Sequence, residues 1–306
     1  MRIAVFGIGG VGGIVGGALA RVCPDVSLVA RGRALEAIRR DGLIVESALL
    51  GSFTVRPRAL DSSALEGEGP MDVVVATCKG YDLEAACRAM SPLVGPDTLV
   101  VPLLNGLGAS DAMAPLLPPC VLAGGLIYVF SHLEGPGRVA HTSGPCRVIM
   151  GMRDGSRSAA LEDLAALMAE AGLDARTTGD ILSDQWRKYA TVGSMNIMCC
   201  LWDGPVGKAR EDPGHETTLR AALGEIRAVA EAQGASLPGE MEEEIVARFE
   251  ASPPDTITSL YRDLSAGKPP ERTELRWLIG RVARMGREAG VSVPHHEDVL
   301  ARWATR

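Results

Sequence analysis

Through the first half of the chain, short runs of consecutive apolar residues alternate with helix-length amphipathic stretches. Apolar runs at residues 2–6, 26–30, 71–78 and 99–103 have strand length, and the stretches at 11–22, 33–40 and 82–90 repeat their apolar positions at helical spacing. Residues 43–46 and 52–56 read as a pair of short strands. Such a βαβ rhythm predicts a parallel sheet with helices on both faces. From 121 to 152 the rhythm changes: LAGGLIYVF, RVAHTS and CRVIMG are separated by Gly-Pro turns and predict antiparallel strands added to the sheet. A helix at 159–171 and a strand at 174–178 close this half. After Gly179 the strand signal disappears, and helices are expected at 182–201, 216–233, 240–251, 258–266 and 272–289. The pattern therefore predicts an α/β domain over residues 1–179 and an all-α domain over residues 180–306.

Composition narrows the function classes. A chain of 306 residues has the length of two domains, and 46% apolar with 23% charged residues is ordinary globular usage, which excludes a disordered or low-complexity protein. A formal net charge of −7 argues against nucleic acid as a partner. Seven scattered cysteines form no C-x-x-C pair and no metal-ligand spacing with the five histidines, so reduced thiols, no metal and a cytoplasmic location are expected. No apolar run reaches about 18 residues, and glycines interrupt any leader core at the start, so no membrane partner is expected. Only four lysines occur, at 79, 188, 208 and 268.

Residues 7–12 read Gly-Ile-Gly-Gly-Val-Gly, directly after the first strand and opening the first helix. In a doubly wound, Rossmann-type fold each glycine has a task. Gly7 permits the tight turn, Gly9 lets the backbone approach a pyrophosphate, and Gly12 lets helix and strand pack closely. The helix N-terminus offers unpaired N–H groups to the anion, so Gly7, Ile8, Gly9, Gly10, Val11 and Gly12 are expected to hold a dinucleotide. Strand two ends in Val-Ala-Arg-Gly-Arg. Arg31 stands where NAD-binding folds carry an acid for the ribose 2′-hydroxyl, which predicts NADP (NADPH) as cofactor, with Arg33 assisting.

Two further strands end at the edge where open α/β sheets bind ligands, in Cys78-Lys79-Gly80 and in Leu104-Asn105-Gly106. Downstream, Trp186-Arg187-Lys188 opens an apolar helix on which residues 188, 192 and 196 share a face. Reduction of a ketone by hydride builds negative charge on oxygen, which needs a cation or proton donor. Lys188 on an apolar face can be both, and desolvation there lowers its pKa toward a useful range. Asn196 supplies a neutral polar group. Lys208 and Lys268 lie in turns and read as surface charges. His141 reads as structural, and His295 and His296 as loop surface.

With GxGxxG, Asp72-Val-Val-Val-Ala-Thr-Cys-Lys-Gly80, Leu103-Leu-Asn-Gly-Leu-Gly108, Trp186-Arg-Lys-Tyr189, Thr258-Ser-Leu-Tyr-Arg-Asp-Leu264 and Thr273-Glu-Leu275 in this order, the chain resembles the ketopantoate reductase family over nearly its whole length. The resemblance implies NADPH-dependent reduction of a 2-keto acid, most directly ketopantoate to pantoate, in a cleft between the two domains. It implies Lys188 as catalytic general acid, Lys79 and Asn105 lining the cofactor and substrate cleft, and Asn196 and Ser259 touching substrate. The family's functional glutamate aligns with Glu274 through the Thr-Glu-Leu register, whereas counting forward from Asp263 gives Glu271. The chain departs from the family pattern at Val192, where an asparagine is usual, and at Arg276, where an aspartate is frequent. A relative acting on another 2-keto acid, and a non-catalytic NADP-binding sensor, are the competing expectations; a second copy of the chain is left open as a partner. A 6-phosphogluconate-type dehydrogenase would need a phosphate-binding cluster in the helical half, and none is visible.

Overall fold

The computed structural model describes residues 1–304, which leaves the last two residues of the expected 180–306 domain outside the described residues. The chain forms two compact units, Met1–Ile181 and Leu182 onward.

In the first unit the strands are β1 (Ile3–Phe6), β2 (Val26–Ala30), β3 (Leu43–Ser47), β4 (Phe53–Val55), β5 (Arg58–Asp61), β6 (Val73–Ala76), β7 (Leu99–Pro102), β8 (Val121–Gly135), β9 (Arg138–Met152) and β10 (Asp174–Thr177). Helices α1 (Gly10–Leu19), α2 (Gly32–Asp41), α3 (Leu83–Met90), α4 (Ala109–Met113) and α5 (Ala159–Glu170) are interleaved. One sheet runs in the order β4-β3-β9-β8-β7-β6-β1-β2-β5, with β10 beside β9. Its stretch β5-β2-β1-β6-β7-β8 is parallel. Numbered by their own succession these six strands lie 3-2-1-4-5-6, the doubly wound order, whose switch point falls between β1 and β6. The central strands are buried along their whole length, which is why they read as unbroken apolar runs rather than alternations.

Two expectations for this unit need correction. The three antiparallel strands expected over 121–152 are two long ones, β8 and β9, joined at Gly135-Pro136-Gly137. The second Gly-Pro, at 144–145, is not a turn. Register jumps from Tyr128↔Arg147 to Phe130↔Ser143, so Gly144 (φ +79°) and Pro145 sit in a bulge that accommodates a residue without a ladder donor. Strand β5 was missed: it is an edge strand with one fully buried side chain, Leu60, and carries no alternation to read.

The second unit holds α6 (Ile181–Trp202), α7 (Val206–Arg210), α8 (His215–Ala232), α9 (Met241–Ala251), α10 (Ser259–Ser265), α11 (Arg281–Ala289) and α12 (Pro294–Trp303). Ile197 and Cys200 of α6 pack with Leu260, Leu278, Val299 and Trp303 in its core. The single helix expected at 272–289 begins only at Leu275, whose N–H donates to Thr273 Oγ1, and it passes through a π-turn, Arg276–Gly280, before α11. His295 and His296 are not loop surface. Pro294 starts α12, and Glu225 of α8 receives the His295 N–H at 2.8 Å and Nδ1 of His296 at 2.7 Å. His296 is fully buried.

Candidate active site

Strands β2, β1, β6 and β7 are parallel and in register, so the residues that follow them share one sheet edge. Gly7 follows β1, Arg31 follows β2, and Lys79 and Asn105 each lie three residues beyond β6 and β7. The glycine loop has the shape its spacing requires. Gly7 has φ +98°, and its carbonyl lies 2.6 Å from Thr77 Oγ1, which locks the turn. A Cβ on Gly12 would stand 2.1 Å from that same carbonyl and 2.4 Å from Thr77 Oγ1, so only glycine fits where α1 passes β1. A Cβ on Gly9 would meet nothing within 4 Å, which leaves open space above the N-terminus of α1. That terminus has no side-chain cap and no acid in its first turn, so its donors suit an incoming anion. The residues present thus fit the pyrophosphate of a dinucleotide. Ile8 and Val11 turn their side chains to the core and offer only backbone here. Arg31 and Lys79 are exposed, and Asn105 is half-buried.

In the second unit, α6 carries Lys188, Val192 and Asn196 at successive helical turns. Lys188 is 8% exposed and Asn196 2%. Burial holds the Lys188 ammonium down to about 8, while the carboxylate of Glu274 pulls in the opposite direction. Glu274 is itself buried, whereas Glu271 and Arg276 are exposed, so of the two candidate glutamates it is Glu274 that acts on the lysine. The Asn196 amide donates to the Val192 carbonyl at 2.8 Å, and its Oδ1 is buried with no hydrogen-bond partner among the described residues. A buried acceptor left unpaired is costly, and a ligand hydroxyl or amide would relieve it. Ser259 is the first residue of α10, exposed, with the N-cap supplied by its neighbour Thr258. Lys208 and Lys268 are exposed; Lys208 Nζ donates to the Asp203 carbonyl and Lys268 Nζ to Asp263, as surface charges do.

Sequence reasoning missed Tyr189 as part of this surrounding. Its hydroxyl donates to the Leu278 carbonyl in the π-turn at 3.0 Å and lies 3.4 Å from His296 Nε2. It also missed Asp82, whose partner across the sheet is Arg31. Neither contact has a local signature, since the partners are 89 and 51 residues away.

Comparison with known proteins bears on this arrangement directly. The family model described as ketopantoate reductase PanE/ApbA matches residues 3–155, and the corresponding C-terminal model matches residues 180–304. A 2-dehydropantoate 2-reductase of Mesorhizobium japonicum is 30% identical over 98% of this chain and 96% of its own. An uncharacterized oxidoreductase of Bacillus subtilis, YkpB, is 26% identical over 95% of each. Among solved structures, 2-dehydropantoate 2-reductase from Methylococcus capsulatus superposes with a TM-score of 0.86 at 32% identity, covering 98% of this chain and 95% of that one.

Proposed function

The chain belongs to the ketopantoate reductase family, and from that premise we propose that it reduces the keto group of a 2-keto acid with NADPH, 2-dehydropantoate being the expected substrate and pantoate the product. The observation that carries the chemistry is Lys188, a buried ammonium on an apolar helix, brought to about 8 by its surroundings and flanked by the Glu274 carboxylate. Gly7 to Gly12 hold the pyrophosphate, Arg31 and Lys79 face the rest of the dinucleotide, and Asn105 orients the reacting groups. When bound, NADPH supplies the hydride that attacks the keto carbon.

As that bond forms, the carbonyl π-electrons move to oxygen, and the proton needed there comes from the Lys188 ammonium. A lysine at about 8 is protonated at neutral pH yet gives up its proton far more readily than one near its ordinary value. Glu274 keeps the ammonium form populated between turnovers. Asn196 Oδ1 accepts from a substrate hydroxyl, and Ser259 offers a hydroxyl to the substrate carboxylate. The dinucleotide thus belongs to residues 1–179 and the proton donor to residues 180–306.

A panel of 2-keto acids offered with NADPH, followed by loss of nicotinamide absorbance, tests this reading. Fastest turnover of 2-dehydropantoate is the expected result. Reduction of other 2-keto acids with 2-dehydropantoate among the poorest would overturn the substrate assignment. NADPH binding without turnover of any of them would favour a sensor.

A further inference from the structure

Arg31 and Asp82 occupy equivalent places on either side of the glycine loop. Arg31 precedes α2 at the end of β2, and Asp82 precedes α3 beyond the end of β6; β1 and its loop lie between them in the sheet. Their side chains meet: Arg31 donates through Nη2 to Asp82 Oδ2 at 3.3 Å. The two therefore span the strand that carries the pyrophosphate loop, at the switch point of the fold.

The Asp82 side chain is not engaged in the task its position offers. Aspartate at an N-cap ordinarily accepts from the first backbone N–H groups of its own helix, yet no side-chain cap bond is made at α3. The carboxylate is turned instead toward the guanidinium, and it is the less exposed of the pair, 29% against 77%. Arg31 is thus the more solvent-exposed partner and Asp82 the more enclosed one.

We propose that Asp82 is a cofactor-selectivity residue: its carboxylate competes with the 2′-phosphate of NADPH for the Arg31 guanidinium. This rests on the dinucleotide reading of the glycine loop. A phosphate monoester carries about −1.5 to −2 charges at neutral pH. Its approach to Arg31 brings a second anion to a guanidinium that already has one, so the ion pair must open or the two anions must share it. A cofactor with a free 2′-hydroxyl meets no such conflict, because a hydroxyl can donate to a carboxylate. The consequence is that Asp82 blunts the preference for NADPH that Arg31 creates, and the chain accepts NADH more readily than a lone arginine at this place would allow.

Calorimetric titration of the full chain with adenosine 2′,5′-bisphosphate and with adenosine 5′-monophosphate tests the proposal without turnover. Asp82→Asn is expected to tighten the bisphosphate about three- to tenfold, the scale of an exposed charge contact made by a doubly charged ligand. The monophosphate should change by less than about twofold. In an Arg31→Ala background the gain from Asp82→Asn should vanish. Asp82→Ser gives the same readings should the asparagine variant fold poorly. Equal tightening of both nucleotides, no tightening of either, or a gain that persists without Arg31 would each overturn the proposal. Failure of the wild-type chain to bind either nucleotide would remove the dinucleotide reading and the proposal with it.

Discussion

On the mechanism proposed above, replacing Lys188 by alanine removes the group that would meet the developing alkoxide and leaves the glycine loop intact. We expect kcat to fall about 10²–10⁴-fold, the range of general acid assistance, with NADPH affinity unchanged; Lys208→Ala, at an exposed lysine that the structure places in the short helix α7 rather than in the expected turn, should be neutral. Steady-state kinetics beside fluorescence titration of NADPH separates the two effects, and equal activity in both variants would move the role to Lys79. The pH dependence follows from the same residue. The donor must be protonated, so the rate should be level at lower pH and fall as pH rises through about 8. Glu274 raises the lysine's pKa, so Glu274→Gln should shift this falling limb to lower pH, and an unmoved limb would separate the two groups. The burial of Lys188 was legible in the sequence because one of only four lysines stands on an apolar helix face. The choice between Glu271 and Glu274 was not, since it turns on which side chain is buried. That depends on how the chain folds ahead of the helix, where Glu271 stays exposed and Glu274 turns inward.

Elements carry predictions of a different kind. Gly9 and Gly12 belong to one motif but face different things, empty space and a backbone carbonyl 2.1 Å from the ideal Cβ position. Gly9→Ala should therefore keep its melting temperature and lose dinucleotide affinity, whereas Gly12→Ala should lose about 2 kcal/mol or more of stability through overpacking. Thermal melts with and without NADPH distinguish them, and similar losses of stability in both would count against the open-space reading of Gly9. In the helical unit, Glu225 tethers α12 through His295 and His296, and breaking a buried, hydrogen-bonded carboxylate contact of this kind costs about 2–4 kcal/mol. Glu225→Ala should lower the urea midpoint accordingly; an unchanged midpoint would mean that the tether contributes little. The glycine motif could be read from the chain because its spacing lies within six residues, whereas the part Thr77 plays in holding Gly7 and crowding Gly12 shows only in the fold. Helix α12 could not be placed around its histidines, although Pro294 is a sound helix-start residue, because the acid that receives them lies about 70 residues earlier. The long hairpin was misread for a similar reason: a Gly-Pro pair marks a turn or a bulge equally well, and only pairing with β8 decides.

At the scale of the whole molecule, the alternation of apolar strands and helices in the first half and its disappearance in the second were enough to anticipate an α/β unit followed by a helical one. Strand order, by contrast, is set by contacts between distant segments, and the 3-2-1-4-5-6 succession with its switch point beside the glycine loop emerges only from the folded sheet. No helix among the described residues is long and apolar enough to cross a membrane. The reaction proposed for the chain turns on a single bond, formed when a hydride passes from the reduced nicotinamide to the keto carbon. The most direct measurement is mass spectrometry of the 2-hydroxy acid formed from 2-dehydropantoate with NADPH carrying deuterium at both positions of its nicotinamide C4. The account predicts one deuterium on C2 of the product, formed by the wild-type chain and strongly reduced with Lys188→Ala. A product bearing no deuterium, or NADPH oxidised without any hydroxy acid formed, would contradict it.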